Sequence, residues 1–156
     1  MRLRYLYVGC TDTEGALASW LAFDGASMRW RFSHFGADVA AVAFDAEGTH
    51  PAVLLADHRP AGSVLPIYAV DDPDAASQRL CAHGWEVAGG PMGTPEGPAT
   101  ILRDESGTEI ALLGVERPAA MEGAYGDAAN EHAVRSGATE AAAARREAST
   151  PHTGDS

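Results

Sequence analysis

The stretch Leu65-Pro-Ile-Tyr-Ala-Val-Asp-Asp72 runs into Pro73-Asp-Ala-Ala-Ser-Gln-Arg-Leu-Cys-Ala-His-Gly84 and Trp85-Glu-Val87. A Gly/Pro loop follows, and the stretch closes with Ala99-Thr-Ile-Leu-Arg-Asp104-Glu-Ser-Gly107-Thr108-Glu-Ile-Ala-Leu-Leu113. Ile67, Tyr68 and Val70 suit a strand, because β-branched and aromatic side chains pack well on a pleated surface. Ala75, Ala76, Leu80 and Cys81 recur at helical spacing between an Asp that can cap a helix and a Gly that can end it. Asp104-Glu-Ser-Gly107 separates two short apolar runs, which predicts a hairpin. The order is therefore strand, helix, short strand and hairpin.

Working outward, the first half of the chain repeats this plan. Asp12 opens a helix pattern that ends at Gly25, and Asp45-Ala-Glu-Gly48-Thr49 matches Asp104-Glu-Ser-Gly107-Thr108. The offsets between Asp12 and Asp72, Gly25 and Gly84, Asp45 and Asp104, and Gly48 and Gly107 are 60, 59, 59 and 59 residues. A constant offset across helix start, helix stop and hairpin is the mark of a tandem duplication. Leu3 to Cys10 is the first strand, with Leu6, Val8 and Cys10 on one face and Tyr5, Tyr7 and Gly9 on the other. Leu17, Trp20, Leu21 and Phe23 form the helix stripe, and Met28 to Phe35 is a strand that places Trp30, Phe32 and His34 on one face. Val39 to Phe44 and Ala52 to Ala56 form a hairpin, and Asp57 to Ser63 is a Pro- and Gly-containing link between the halves. The fold class is α+β: two β-α-β-β-β modules, residues 3–57 and 64–117, in a folded unit of residues 1–118.

Composition narrows the function classes. A chain of 156 residues with 46% hydrophobic content can build a core. Its formal charge of -11 argues against nucleic acid and anionic membrane surfaces. No run approaches the roughly 18 apolar residues of a membrane span, so the expected compartment is the cytoplasm. Cys10 and Cys81 make neither a disulfide framework nor a zinc motif, and both fall on faces where Cys acts as a small hydrophobe. After Arg117 the chain is rich in Ala, Glu, Gly, Ser and Thr, with Met121, Tyr125 and Val134 as its only larger apolar residues. Residues 119–156 are therefore read as a disordered tail, with Glu140 to Glu147 as a transient helix or a helix that packs on a partner.

The repeated β-α-β-β-β plan, the strand-to-Asp junctions at Asp12 and Asp72, and Arg103-Asp-Glu-Ser-Gly-Thr-Glu-Ile-Ala-Leu112 resemble the vicinal oxygen chelate superfamily of glyoxalases, bleomycin-resistance proteins and extradiol dioxygenases. The resemblance spans about Arg4 to Pro118. It implies a curled mixed sheet around a central cavity, and a divalent metal held at four positions. Carried over one at a time, those positions are Tyr5, its counterpart Leu65, Ala52 (or Val53 with a one-residue slip) and Ala111. Leu and Ala have no donor atom, so the expectation is the fold without the family's metal and without a cofactor. A His34–His58–Glu109 set is the remaining metal candidate, against a strand-end role for His34 and an ion pair with Arg103 for Glu109.

The expected ligand wall is Tyr5, Tyr7, Leu65, Ile67, Ala111, Trp30, Phe32 and Met92, with His34, Arg103 and Glu109 as its polar members. Trp20 and Trp85 are read as core or interface residues instead. An apolar, aromatic wall with few polar groups suits a small-molecule pocket, favoured here over a filled barrel because the small residues Gly9, Ala52, Ala69 and Ala111 alternate with large ones and leave room. Two function classes stay open. One is a metal-independent protein that sequesters an aromatic or cationic drug-like molecule. The other is a lyase, isomerase or dioxygenase with an unusual metal site or an acid–base pair such as Tyr5 with Glu109. A homodimer is expected, because an open sheet edge needs covering.

Overall fold

A computed structural model describes residues 1–127 and 129–134. Its elements are β1 (Arg2–Gly9), α1 (Thr13–Trp20), β2 (Ser27–His34), β3 (Ala37–Ala43), β4 (Ala52–Ala56), β5 (Val64–Val70), α2 (Pro73–Cys81), β6 (Glu86–Thr94), β7 (Gly97–Arg103), β8 (Glu109–Gly114) and α3 (Ala120–Tyr125).

Both long helices start as the sequence predicts. The Asp12 carboxylate accepts from the Gly15 amide at 2.9 Å, and the Asp72 carboxylate from the Ala75 amide at 3.0 Å, each satisfying a donor that the first helical turn leaves open. The turns repeat too. Asp45 accepts from the Thr49 amide, and Asp104 from the amides of Ser106 and Thr108, while Gly48 and Gly107 take the positive φ that closes each loop.

The strands form one eight-stranded mixed sheet in the order β2-β3-β4-β1-β5-β8-β7-β6. Each module supplies four neighbouring strands, and the two join where β1 pairs antiparallel with β5. Leu6 and Val8 of β1 pack with Leu17 of α1, while Tyr68 and Val70 of β5 pack with Ala76 and Leu80 of α2. Both helices thus cover one face. The opposite face carries the row Ala52, Tyr5, Ile67 and Ala111 across the centre of the sheet, with Leu54, Tyr7 and Leu65 in the next row.

Four expectations are corrected here. The sheet is not strongly curled, and its edge strands β2 and β6 are not joined. The Gly/Pro stretch after Val87 is not a loop but strand β6, which pairs with β7 through two register shifts. The counterpart of Tyr5 is Ile67, not Leu65: Ile67 pairs with Ala111 as Tyr5 pairs with Ala52, and it stands five residues before its helix cap where Tyr5 stands seven before. Finally, the start of the supposed tail is ordered. Met121 of α3 is buried against the open face, Tyr125 stacks on Phe32 with ring centroids 4.9 Å apart, and Ala133 bridges to Phe32. By its composition this segment has too little apolar surface to form a core of its own. It orders because the sheet already presents an apolar face on which Met121 and Tyr125 pack. The helix expected at Glu140 to Glu147 lies outside the described residues.

Candidate small-molecule cavity

The face opposite the helices holds a cavity of about 200 Å³. Tyr5 and Tyr7 come from β1 and Ile67 from β5, all placed there by strand alternation. Trp30 and Phe32 of β2 form one side, with near-parallel rings at 6.1 Å. Ala99, Ala111 and Leu113 leave room on the other side, where larger residues would fill it. Met121 of α3 and the turn Thr94-Pro95-Glu96 complete the wall. Of the residues expected to line a ligand site, the cavity brings together Tyr5, Tyr7, Trp30, Phe32, Ile67 and Ala111.

The others lie elsewhere. Leu65 is buried beside Tyr7 but does not reach the cavity wall. Met92 is exposed on β6, because the register shift after Gly89 turns this part of the edge strand to solvent. Arg103 and Glu109 pair with each other at 2.6 Å across β7 and β8. His34 stacks on His132, with ring centroids 3.6 Å apart.

One corner of the cavity is polar and centres on Glu96. Glu96 is 3% exposed although it sits in a turn. Its carboxylate accepts from the Tyr5 hydroxyl at 2.9 Å and from the Arg4 guanidinium at 2.5 and 3.2 Å. The turn is held firmly. Gly97 has φ +150°, and a Cβ there would lie 1.8 Å from the Gly114 carbonyl oxygen, so only glycine fits. The Glu96 carbonyl accepts from the amides of Glu116 and Arg117 at 2.8 and 3.0 Å. Arg4 also donates to the Pro118 carbonyl at 3.0 Å, which ties this corner to the start of α3. The sequence signal for Glu96 was only a lone carboxylate in a Pro-Glu-Gly turn, and its partners lie more than 90 residues away.

Charge is balanced within this corner. Burial, and then the neighbouring Glu96 charge, push the Tyr5 hydroxyl far above its ordinary range, so it stays protonated and donates. The Glu96 hydrogen bond raises the Arg4 guanidinium, against an opposing effect of burial. At the other end of the cavity the Tyr7 hydroxyl lies 2.9 Å from His58 Nε2, and burial pushes it up to about 12. Arg59 sits over the Tyr7 ring at 5.3 Å, which favours the cation electrostatically.

No protein-family model matches this sequence, and no curated protein does. Solved structures do match. The Streptomyces coelicolor methylmalonyl-CoA epimerase in complex with 2-nitronate-propionyl-CoA aligns at 16% identity over 75% of this chain and 99% of its own, with a TM-score of 0.61. The Mycobacterium tuberculosis methylmalonyl-CoA epimerase aligns at 14% over 75% of this chain and 89% of its own, also with a TM-score of 0.61. A hypothetical protein from Bacillus halodurans C-125 gives 10%, 74%, 95% and 0.62 for the same quantities. This chain shares the fold of these structures. At these identities the likeness extends to the fold and no further.

The superfamily's metal can be tested against the side chains present. The central row of Ala52, Tyr5, Ile67 and Ala111 offers one oxygen donor, the Tyr5 hydroxyl, and that hydroxyl already donates to Glu96. Such a set does not fit a divalent metal, which needs several imidazole, thiolate or carboxylate donors. The alternative His34, His58 and Glu109 are dispersed onto His132, Tyr7 and Arg103. Among the described residues, no three His, Cys, Asp or Glu side chains come together to hold a metal ion. Nor is any described helix long and apolar enough to cross a membrane.

Proposed function

We propose that this protein binds an apolar aromatic small molecule, without metal, and holds it without chemical change, in the manner of a drug-sequestering member of its superfamily. The observation that carries this reading is the cavity itself. Its walls are aromatic and aliphatic, and they come from both modules. Its polar groups are already engaged, since each Glu96 oxygen accepts from Arg4, the Tyr5 hydroxyl is spent on Glu96, and the Tyr7 hydroxyl lies against His58. A pocket of this kind recognises a ligand by shape and by ring stacking, worth roughly 0.5–1.5 kcal/mol per aromatic pair beyond area burial. Because Arg4 neutralises Glu96, a cationic ligand gains less there than from the faces of Trp30 and Phe32.

A second reading, a metal-free lyase or isomerase, is favoured by the same hydroxyl–carboxylate contact at 2.9 Å. Here the acid–base pair is Tyr5 with Glu96, in place of Tyr5 with Glu109. It ranks second because a general base needs a free lone pair and an acid needs a pKa near the working pH. Arg4 engages the first, and burial raises Tyr5 far above neutral pH.

The test is calorimetric titration of the chelator-treated protein with phenol and acridine, followed by chromatography of the recovered ligand. Saturable binding with unchanged ligand is expected. A new product supports the enzymatic reading, and the absence of binding removes the small-molecule reading. We also propose a cytoplasmic homodimer, supported by the exposed β6 edge with Val87 and Met92 at its surface. A monomeric mass by light scattering at micromolar concentration contradicts the dimer.

A further inference from the structure

The link between the modules folds back over the end of β1. The Gly9 amide donates to the Ser63 carbonyl at 2.9 Å, and the Gly62 amide donates to the Gly9 carbonyl at 3.0 Å. A Cβ at Gly9 would lie 2.0 Å from the Pro60 carbonyl oxygen, so this approach needs glycine. The closure brings His58 and Arg59 to Tyr7, a wall residue of the cavity. His58 Nε2 meets the Tyr7 hydroxyl at 2.9 Å, and the Arg59 guanidinium lies over the Tyr7 ring, 5.3 Å from its centroid.

Arg59 differs from the other described arginines. Arg4, Arg31, Arg103 and Arg117 each meet a carboxylate. Arg29 donates to the carbonyls of Asp45 and Ala46. Arg2 and Arg79 are exposed, and water solvates them. Arg59 is half-buried, its Nε is sealed from solvent without an acceptor, and among the described residues it has no ion-pair partner. Asp57 stands two positions away in sequence, but its carboxylate accepts from the Asp38 amide at 2.9 Å. A partly desolvated cation without a counter-charge costs stability, and an anion beside it offsets that cost.

We propose that the ligand of this cavity is an aromatic acid, its ring held by the apolar wall and its carboxylate received by Arg59 at the Tyr7 end. The inference rests on the small-molecule reading and deepens it by naming the charge that the ligand carries. A guanidinium presents a planar fork of N–H donors that matches the two oxygens of a carboxylate. The Tyr7 hydroxyl and His58 add hydrogen-bonding groups beside it. The formal charge of -11 opposes any anion, but exposed charges more than about 8 Å away are largely screened at physiological ionic strength. The charge in direct contact with the ligand therefore decides.

The test is calorimetric titration of the full-length protein with phenylacetate, its neutral isostere phenylacetamide and the cation phenethylamine. Wild type is expected to bind phenylacetate about tenfold or more tightly than phenylacetamide, with phenethylamine weakest. Arg59→Met keeps an apolar stem over the Tyr7 ring and removes the charge. It is expected to lose about tenfold for phenylacetate and to stay within about twofold for phenylacetamide. Arg79→Met removes the same charge from an exposed position on α2, and it is expected to stay within about twofold for both. Phenylacetate binding wild type no more tightly than phenylacetamide refutes the proposal, whatever the variants do. An unchanged preference in Arg59→Met that still melts cooperatively, or an equal loss in Arg79→Met, refutes it as well. In each of these cases saturable phenol or acridine binding leaves the small-molecule reading standing. If no probe binds, that reading fails first and the aromatic acid fails with it.

Discussion

The two modules share a blueprint and differ in their outer strands. In β2 the inward positions are Trp30, 2% exposed, and Phe32, stacked under Tyr125. At the repeat offset of 59 residues, β6 has Gly89 and Pro91. Even the register shift is duplicated, between Met28 and Trp30 in one strand and between Val87 and Gly89 in the other. The duplication thus preserves the backbone plan while the side chains diverge. The first module gives the cavity its aromatic side. The second gives it small residues, Ala99 and Ala111, and the single carboxylate Glu96, where the repeat places Ala37 in the first. The cavity is therefore asymmetric by substitution on a symmetric frame. The edges diverge likewise. Residues 132–134 cover β2, with the Ser33 amide donating to the His132 carbonyl and the Val134 amide to the Arg31 carbonyl, whereas β6 is bulged and exposed.

The largest break in this comparison is Trp30→Ala. Truncating a fully buried tryptophan costs about 3–5 kcal/mol, because the cavity left behind adds to the lost transfer energy. Urea unfolding should show a loss of that size. Next is Glu96→Ala, which strands the Arg4 guanidinium and the Tyr5 hydroxyl. Arg4 is 16% exposed at its side chain, so water reaches part of it. The expected loss is therefore about 1–3 kcal/mol, below that for a fully buried pair. Glu96→Gln should cost less, since its amide oxygen still accepts.

An alkaline scan sharpens the account of the two tyrosines. Burial raises the folded-state Tyr7 hydroxyl from 10.0 to about 12, and Tyr5 moves the same way. Between pH 10 and 12 the unfolded chain has released the Tyr7 proton and the folded chain has not. The folded state binds more protons there, so the stabilisation is complete below pH 10 and is lost as pH rises toward 12. Melting temperature should fall across that window, and less steeply in Tyr7→Phe. The smallest effect is expected at Val87→Ala on the other outer strand. Val87 is 52% exposed, and the change should stay within about 0.5 kcal/mol.

The fold was legible because its punctuation is local. Asp12, Asp72, Gly48 and Gly107 act through bonds to residues a few positions away, and a repeat makes each signal appear twice. Strand alternation likewise put Tyr5, Tyr7, Ile67 and Ala111 on the correct face, and it tolerated the two-residue error over Leu65 because the parity is unchanged. Met92 was placed on the wall from a stretch read as a loop, whereas that stretch is edge strand β6 and leaves Met92 exposed. Glu96, Met121 and Tyr125 were not legible for a different reason. Their roles depend on long-range contacts to Arg4, Tyr5 and Phe32, and their neighbourhoods in sequence look like a turn and a low-complexity tail.

In the proposed reading the Trp30 side of the open face, and not the helix-covered face, receives the ligand. Trp85 packs with the α2 core outside the cavity and serves as the internal reference. Fluorescence titration with acridine should show Trp30→Ala weakening binding by about tenfold or more, equivalent to about 1.4 kcal/mol. Trp85→Ala should stay within about twofold. Equal losses from the two variants, or none from Trp30→Ala, would contradict the account.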